Sequence, residues 1–181
     1  MKHSAVITIS KSNDIKNSED IGLYFCWNGR RDAVEAALAY CEFKRYKGPS
    51  YTSYGWARLY QVIGSSFCDS SRSTSIKLGM CCDLDCDNGY NGVYIIKGWK
   101  IVGRQYIVGA EQCSHNLLDT LIYIDSKQPA TEQLGEELIT TLYKERCERR
   151  QRHQRHRHNR RSLAANLHCS NHNQNFHTIV T

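Results

Sequence analysis

Positive charge in this 181-residue chain is concentrated in one short stretch near the C-terminus, and this unevenness limits what the chain can fold into. Residues 1–143 carry 15 Lys/Arg against 16 Asp/Glu, so that part is close to neutral. Residues 144–161 carry 9 Lys/Arg against 2 Asp/Glu, and residues 162–181 carry none of these four types. A run of like charges repels itself and has little apolar surface to bury, whereas residues 1–143 are numerous enough to enclose a core. We therefore predict a globular domain over 1–143 and a basic, His-rich tail over 144–181.

Apolar patterning in the first 143 residues predicts several strands. Runs rich in β-branched residues are typical of strands, and they occupy residues 6–10, 21–27, 74–79, 93–96 and 99–102, with 105–108 as a further extension of the sheet. Lys97 and Gly98 separate two of these runs, as the turn of a hairpin would.

Apolar residues at helical spacing predict a pair of helices. One is capped by Asp32 with Glu35 as its capping-box partner, and the other begins near Ser53. We expect this pair to pack antiparallel around a shared core. Two further helices follow: one carries an apolar stripe over residues 117–122, and the last is capped by Thr131. Together these elements predict an α+β fold, with a small antiparallel sheet packed with the helical pair and the C-terminal helices.

The last helix is expected to run only to about Arg152. Beyond it, arginines such as Arg157 and Arg160 lie on the same helix face and repel each other by roughly 0.2–0.5 kcal/mol per pair. Little apolar material in this stretch compensates for the repulsion. We therefore predict a disordered or frayed-helical tail over residues 155–181.

Hydropathy and cysteine usage bear on the cellular compartment. No run of 18 apolar residues exists, so we expect no membrane span. The first residues lack the apolar block of a secretory signal peptide. The nine cysteines are odd in number and scattered, which argues against a disulfide framework. These features predict a cytoplasmic protein with reduced thiols.

Two groups of metal-binding residue types occur, and neither has the spacing of a known site. Residues 81–87 alternate thiols and carboxylates, but the glycine and distal glutamate of an EF-hand loop are out of register, and no second CxxC or HxxxH follows. The tail holds His168, Cys169, His172 and His177 with little apolar material to fix their geometry. We expect no functional metal site and no cofactor.

The chain carries no recognisable catalytic signature. The GxSxG, P-loop, GxGxxG and HExxH motifs are absent from the sequence. Only His3 and His115 lie outside the tail as bases for a nucleophilic cysteine. We therefore predict no catalytic residues and a non-enzymatic protein. The alternative, a cysteine enzyme, requires a thiol of low pKa beside a base.

The basic stretch favours contact with nucleic acid. Guanidinium groups neutralise phosphates and release counterions, which gives affinity that is independent of sequence and sensitive to salt. Residues 144–161 contain no Phe, Tyr or Trp, so base stacking is not expected to be the main mode of contact there. The predicted nucleic-acid-binding residues are Arg149, Arg150, Arg152, Arg155, Arg157, Arg160 and Arg161. The alternative is a solvated tail that only aids solubility.

Aromatic residues beside arginines predict a protein-binding surface in the globular part. Trp, Tyr and Arg dominate the binding energy of protein interfaces. The candidate interface residues are Trp27, Arg30, Arg31, Tyr54, Trp56 and Arg58. The alternative is core packing, the more common location of tryptophan.

Four strings carry a resemblance to a known group of proteins: 25–35 (FCWNGRRDAVE), 54–59 (YGWARL), 87–89 (DNG) and 93–102 (VYIIKGWKIV). They resemble small phage and mobile-element proteins of gut Firmicutes, a group that includes a broad-acting anti-CRISPR inhibitor of type II effector nucleases. The resemblance covers roughly residues 6–102, and the family pattern has Gly where this chain has Arg30. The tail after residue 143 has no counterpart in the group.

The resemblance implies a mobile-element protein, located in the cytoplasm of a bacterial host, that binds and inhibits a host defence ribonucleoprotein without turnover. The implied partner is the RNA-guided type II CRISPR nuclease or another ribonucleoprotein, and no membrane is involved. The tail adds non-specific contact with RNA or DNA. The alternative function is a general nucleic-acid-binding accessory protein that acts through the tail alone.

Overall fold

The computed structural model describes the backbone of residues 4–9, 12, 14–26, 29–49, 53–67, 76–88, 91–108 and 116–173, and in the last of these ranges it describes side chains as far as His156. The chain divides into two compact units, Met1–Ile139 and Thr140–Thr181. The sequence-based boundary lay between residues 143 and 144.

The first unit contains a five-stranded mixed sheet. Its strands are β1 (Ala5–Thr8), β2 (Ile21–Phe25), β3 (Ile76–Met80), β4 (Val93–Lys97) and β5 (Lys100–Gln105). Their order in space is β3-β2-β1-β4-β5, so β3 and β5 are the two edges. Strand β1 pairs antiparallel with β2 and parallel with β4, and the other pairs are antiparallel.

The α+β prediction is confirmed, but the prediction of a wholly antiparallel sheet is wrong. The parallel pair brings Val6 opposite Val93, across 87 residues of chain. The run over 105–108 does not lengthen the sheet, because β5 ends at Gln105 and Tyr106 follows with φ +54, outside the range of an extended strand. The local apolar pattern that predicts the strands contains no information on the parallel pairing of β1 with β4 or on the end of β5 at Gln105.

Four helices accompany the sheet: α1 (Arg31–Phe43), α2 (Ser53–Phe67), α3 (Leu117–Ser126) and α4 (Glu136–Asn173). Two predicted caps are wrong. The N-cap of α1 is Arg30, which makes no side-chain cap, and Asp32 lies inside the helix. Thr131 lies in a short 3₁₀ turn, and α4 begins five residues later, after Gly135.

Helix α4 is longer than the sequence predicted. Its backbone continues to Asn173, some twenty residues past the expected end at Arg152, so of the two forms predicted for the tail, disordered or frayed-helical, it takes the helical one. Arginine, glutamine, leucine and alanine are strong helix formers, and an exposed pair of like charges costs only roughly 0.2–0.5 kcal/mol. Propensity therefore outweighs repulsion. Residues 174–181 lie outside the described part of the chain.

The central strands of the sheet are covered on both faces. On one face Val6 and Val93 form a cluster with Ile15, Cys81 and Cys86. Ile15 lies in the connection between β1 and β2, and the two cysteines lie in the connection between β3 and β4. Alternation places Ile7 on the opposite face, where it is also fully buried. Helix α1 contacts β5, and α2 contacts β3, so the helices cover that second face. The central strands β1, β2 and β4 are thus largely buried, whereas the edge strands expose large side chains such as Leu78, Met80 and Val102.

A buried carboxylate joins three elements at the end of the first unit. Asp125 in α3 is 5% exposed. Its Oδ1 accepts hydrogen bonds from the Tyr40 hydroxyl of α1 at 2.7 Å and from the Leu134 N–H at 2.8 Å, and its Oδ2 accepts one from the Gly135 N–H at 3.0 Å. A buried carboxylate is costly unless such donors satisfy it. The network therefore fixes α1, α3 and the segment that leads into α4.

We expect Tyr40→Phe to lower the free energy of unfolding by about 1–3 kcal/mol, because the substitution removes one donor from a buried acceptor. Tyr60→Phe is the matched control, since Tyr60 is exposed on α2 and should change stability by less than about 0.5 kcal/mol. Urea unfolding of both variants measures the difference. Equal shifts for the two variants would show that the network does not stabilise the fold.

Candidate binding surfaces

Arg58 lies between two tyrosine rings on the surface of the first unit. Its guanidinium carbon is 5.1 Å from the ring centroid of Tyr46 and 5.5 Å from that of Tyr54. Its Nη1 donates a 2.9 Å hydrogen bond to Gln61 Oε1, one turn further along α2. Contacts of this kind hold the planar guanidinium by cation–π attraction. We call Tyr46, Tyr54 and Arg58 the tyrosine–arginine surface.

Two hydrogen bonds hold Tyr46 in place, one at its backbone and one at its hydroxyl. Its backbone carbonyl accepts a 2.8 Å hydrogen bond from Trp99 Nε1, and its hydroxyl donates to Glu132 Oε2 at 3.2 Å. Burial, followed by the nearby Glu132 carboxylate, raises the pKa of Tyr46 to about 12. The hydroxyl therefore stays protonated at neutral pH and keeps donating. Lys44 Nζ also donates to the Glu132 carbonyl, which ties the same turn down.

The surface remains open to solvent. Tyr54 is 48% exposed, and Arg58 is half-buried. Large aromatic area beside an ordered guanidinium is the composition of an interface hot spot. Because the side chains are already held in place, binding a partner costs them little additional conformational entropy.

Trp56 is 0% exposed, so its prediction as an interface residue is wrong. It follows Tyr54 by two residues, which places it about 200° around α2, on the face that packs into the core. Arg30 and Arg31 are half-buried at the start of α1, and Arg31 Nε lies 3.9 Å from Glu35 Oε2. Trp27 lies outside the described residues. Tyr46 was not predicted, because nothing in the local sequence relates it to α2.

A cleft of about 260 Å³ lies beside the start of α1. Its described lining consists of Arg30, Asp32, Ala33, Phe67, Asp119, Thr120 and Tyr123. The Thr120 hydroxyl donates to the Asn116 carbonyl at 3.2 Å, so it is not activated by a base. No cysteine or histidine is present among these described residues. The described lining residues offer carboxylates and aromatic walls, and no nucleophile is paired with a base among them.

The described buried cysteines are not nucleophiles. Burial raises the pKa of the Cys41 and Cys81 thiols, and it raises that of Cys86 to about 11. The Cys81 thiol donates to Thr8 Oγ1 at 3.4 Å, and the Cys86 thiol donates to the Cys81 carbonyl at 3.5 Å. These thiols therefore stay protonated at neutral pH and act as small core residues.

Metal-binding side chains do not gather in the part of the chain that the structure describes, where no group of three His, Cys, Asp or Glu residues could hold an ion. The loop over 81–87 uses two of its thiols for core packing, and its Asp87 pairs with Lys16. The side chains of His168, Cys169 and His172 fall outside the description, as does all of His177.

Alkylation of the native protein should separate the thiols by burial. At pH 8 about one Cys86 in a thousand is a thiolate, so Cys41, Cys81 and Cys86 should react with iodoacetamide at least about tenfold more slowly than the exposed Cys82. Peptide mapping by mass spectrometry follows each site, and unfolding in urea should equalise their rates. Fast labelling of Cys81 or Cys86 in the native state would contradict their assignment as protonated core residues and support the cysteine-enzyme alternative.

In the second unit, α4 exposes arginines over more than two turns. All nine residues of 148–156 are exposed, among them Arg149, Arg150, Arg152 and Arg155. Of these, Arg149, Arg152 and Arg155 form no ion pair with any described residue. Arg157, Arg160 and Arg161 continue the same helix, although their side chains lie outside the description. We call residues 149–161 the arginine segment.

Comparison with known proteins gives no relative: no family model matches the chain, and no curated protein and no solved structure is significantly similar to it. Among the residues that the structure describes, no helix combines the length and apolar character needed to cross a membrane.

Proposed function

We propose that this chain is a non-enzymatic binding protein that inhibits a ribonucleoprotein by occupying it. The arginine segment contacts nucleic acid, and the tyrosine–arginine surface contacts protein. The observation that carries the proposal is the run of nine exposed residues on α4, 148–156, of which four are arginines.

Phosphate is the partner that such a helix fits best. An exposed helix without an apolar face gains nothing from burial against a protein core, whereas each arginine that neutralises a phosphate releases a counterion. The charge is also local: net charge on residues 1–143 is close to zero, so the attraction is directed to one element.

The tyrosine–arginine surface supports a protein partner in addition. Tyr46 is held by Glu132 and Trp99, and the Arg58 guanidinium by Gln61, before anything binds. A preorganised group of Tyr and Arg is typical of the few residues that dominate interface energies. Protein contact would give the specificity that phosphate contact lacks.

The resemblance to phage and mobile-element proteins narrows the proposed partner. It favours an RNA-guided type II CRISPR nuclease in the cytoplasm of a bacterial host, inhibited stoichiometrically and without turnover. Binding of the full chain to the purified nuclease, with and without guide RNA, tests this. The absence of binding in both states would overturn it.

A second candidate function is favoured by the arginine segment alone. If the tyrosine–arginine surface contacts nothing, the chain is a general nucleic-acid-binding accessory protein whose affinity depends only on charge. The two candidates differ in the effect expected from changes on α2.

Neutralising the described arginines should weaken nucleic-acid binding and flatten its dependence on salt. For the full chain with R149Q, R150Q, R152Q and R155Q, the slope of log K against log salt should fall in magnitude by up to about 3–4. The matched control replaces the exposed Lys47, Lys77, Lys97 and Lys100 with glutamine, which removes the same charge from the first unit. Fluorescence anisotropy at several salt concentrations measures both. An equal fall of this slope in the control would show that binding depends on the net charge of the chain and not on the arginine segment.

On α2, Tyr54→Ala and Arg58→Ala should each weaken binding to the ribonucleoprotein by about 2 kcal/mol, roughly 30-fold, because each removes part of a preorganised hot spot. Tyr60→Ala is the control, since Tyr60 is exposed on the same helix outside the surface. Calorimetry with the guide-loaded nuclease measures affinity. Unchanged affinity in both variants, with nucleic-acid binding intact, would favour the general accessory function.

A further inference from the structure

We propose that the arginine segment enters the major groove of B-form duplex DNA, with phosphates contacted on both sides of the helix. The inference rests on the proposed function, since it names the nucleic acid that the segment recognises. It comes from how the arginines are distributed around α4.

The arginines surround the helix instead of lining one face. At about 100° per residue, Arg150 lies about 100° from Arg149 in one direction, whereas Arg152 and Arg155 lie about 60° and 120° away in the other. The four described arginines therefore cover an arc of about 220°. By backbone register, Arg157 and Arg160 fall inside the same arc.

An arc this wide does not suit a flat or one-sided contact. A helix lying along a single strand presents about one third of its circumference to it, which would leave Arg150 or Arg155 pointing into solvent. A groove has a phosphate backbone on each wall, so both sides of an inserted helix meet phosphate. The distribution therefore favours insertion between two backbones.

The diameter of the helix matches the width of the major groove of B-form DNA. A helix with side chains is about 10–12 Å across, and the B-DNA major groove is about 12 Å wide. The A-form RNA major groove is deep and too narrow for side chains to read. The segment is about 18 Å long at 1.5 Å per residue, which spans about five base pairs.

The residues between the arginines are compatible with this position. Gln151 and Gln154 occupy the remaining part of the circumference and are exposed. With Arg150 and Arg155 toward the two walls and Arg149 toward the floor of the groove, these uncharged amides lie on the side of the helix that faces away from the DNA. The stretch 144–161 has no Phe, Tyr or Trp ring on which unpaired bases would stack.

Binding of the full chain to matched nucleic acids tests the groove. The probes are a duplex DNA of about 20 base pairs, its single strand, the RNA duplex of the same sequence, and the DNA duplex with glucosylated hydroxymethylcytosine, which fills the major groove. We expect the plain duplex to bind at least about tenfold tighter than the other three, and netropsin in the minor groove to leave its affinity unchanged. Equal affinity for all four probes would overturn the groove inference and leave the proposed function standing. No binding to any probe at low salt would overturn both.

Two single substitutions test whether both walls are used. Arg150→Gln and Arg155→Gln remove guanidiniums on opposite sides of α4, and Lys100→Gln is the control for loss of one charge. Both arginine variants should lower duplex affinity by a similar factor, at least about threefold, with helicity by circular dichroism unchanged. An effect of only one of them would show a one-sided contact and overturn insertion.

Discussion

The C-terminal half of the folded unit depends on the hydrogen bonds that the buried Asp125 carboxylate accepts. This carboxylate lies in α3, accepts a hydrogen bond from Tyr40 of α1, and accepts two more from the backbone just before α4. Gly135, one of those donors, has φ +85, a conformation that glycine adopts without strain. These three hydrogen bonds tie the backbone just before α4 to α3 and, through Tyr40, to α1.

Arginine has two different physical roles in this chain. Arg58 is stacked between rings and hydrogen-bonded to Gln61, so its charge belongs to an ordered surface. Arg149, Arg152 and Arg155 are solvated and form no ion pair with described residues. The first arrangement suits recognition of a shaped protein partner, and the second suits phosphate, which is attracted at longer range and screened by salt.

Sequence reasoning located the elements better than it located their ends or their exposed residues. Strand β2 and helix α2 lie close to where the apolar patterns put them. The cap at Asp32 failed because capping depends on backbone geometry, and the residue at the helix boundary is Arg30. Tyr54 and Trp56 were predicted to lie on one surface because both are aromatic residues close to Arg58 in sequence. In the helix, however, they lie on opposite sides.

The sequence by itself determined the α+β composition and the separation of a near-neutral part from a basic segment. Both follow from local quantities, the spacing of apolar residues and the count of charges along a segment. Only the tertiary structure decided the parallel pairing of β1 with β4, the burial of Trp56 and the position of Tyr46 against Arg58. These contacts join residues distant in the chain, or depend on which face of an element meets the core, and packing of the whole domain selects them.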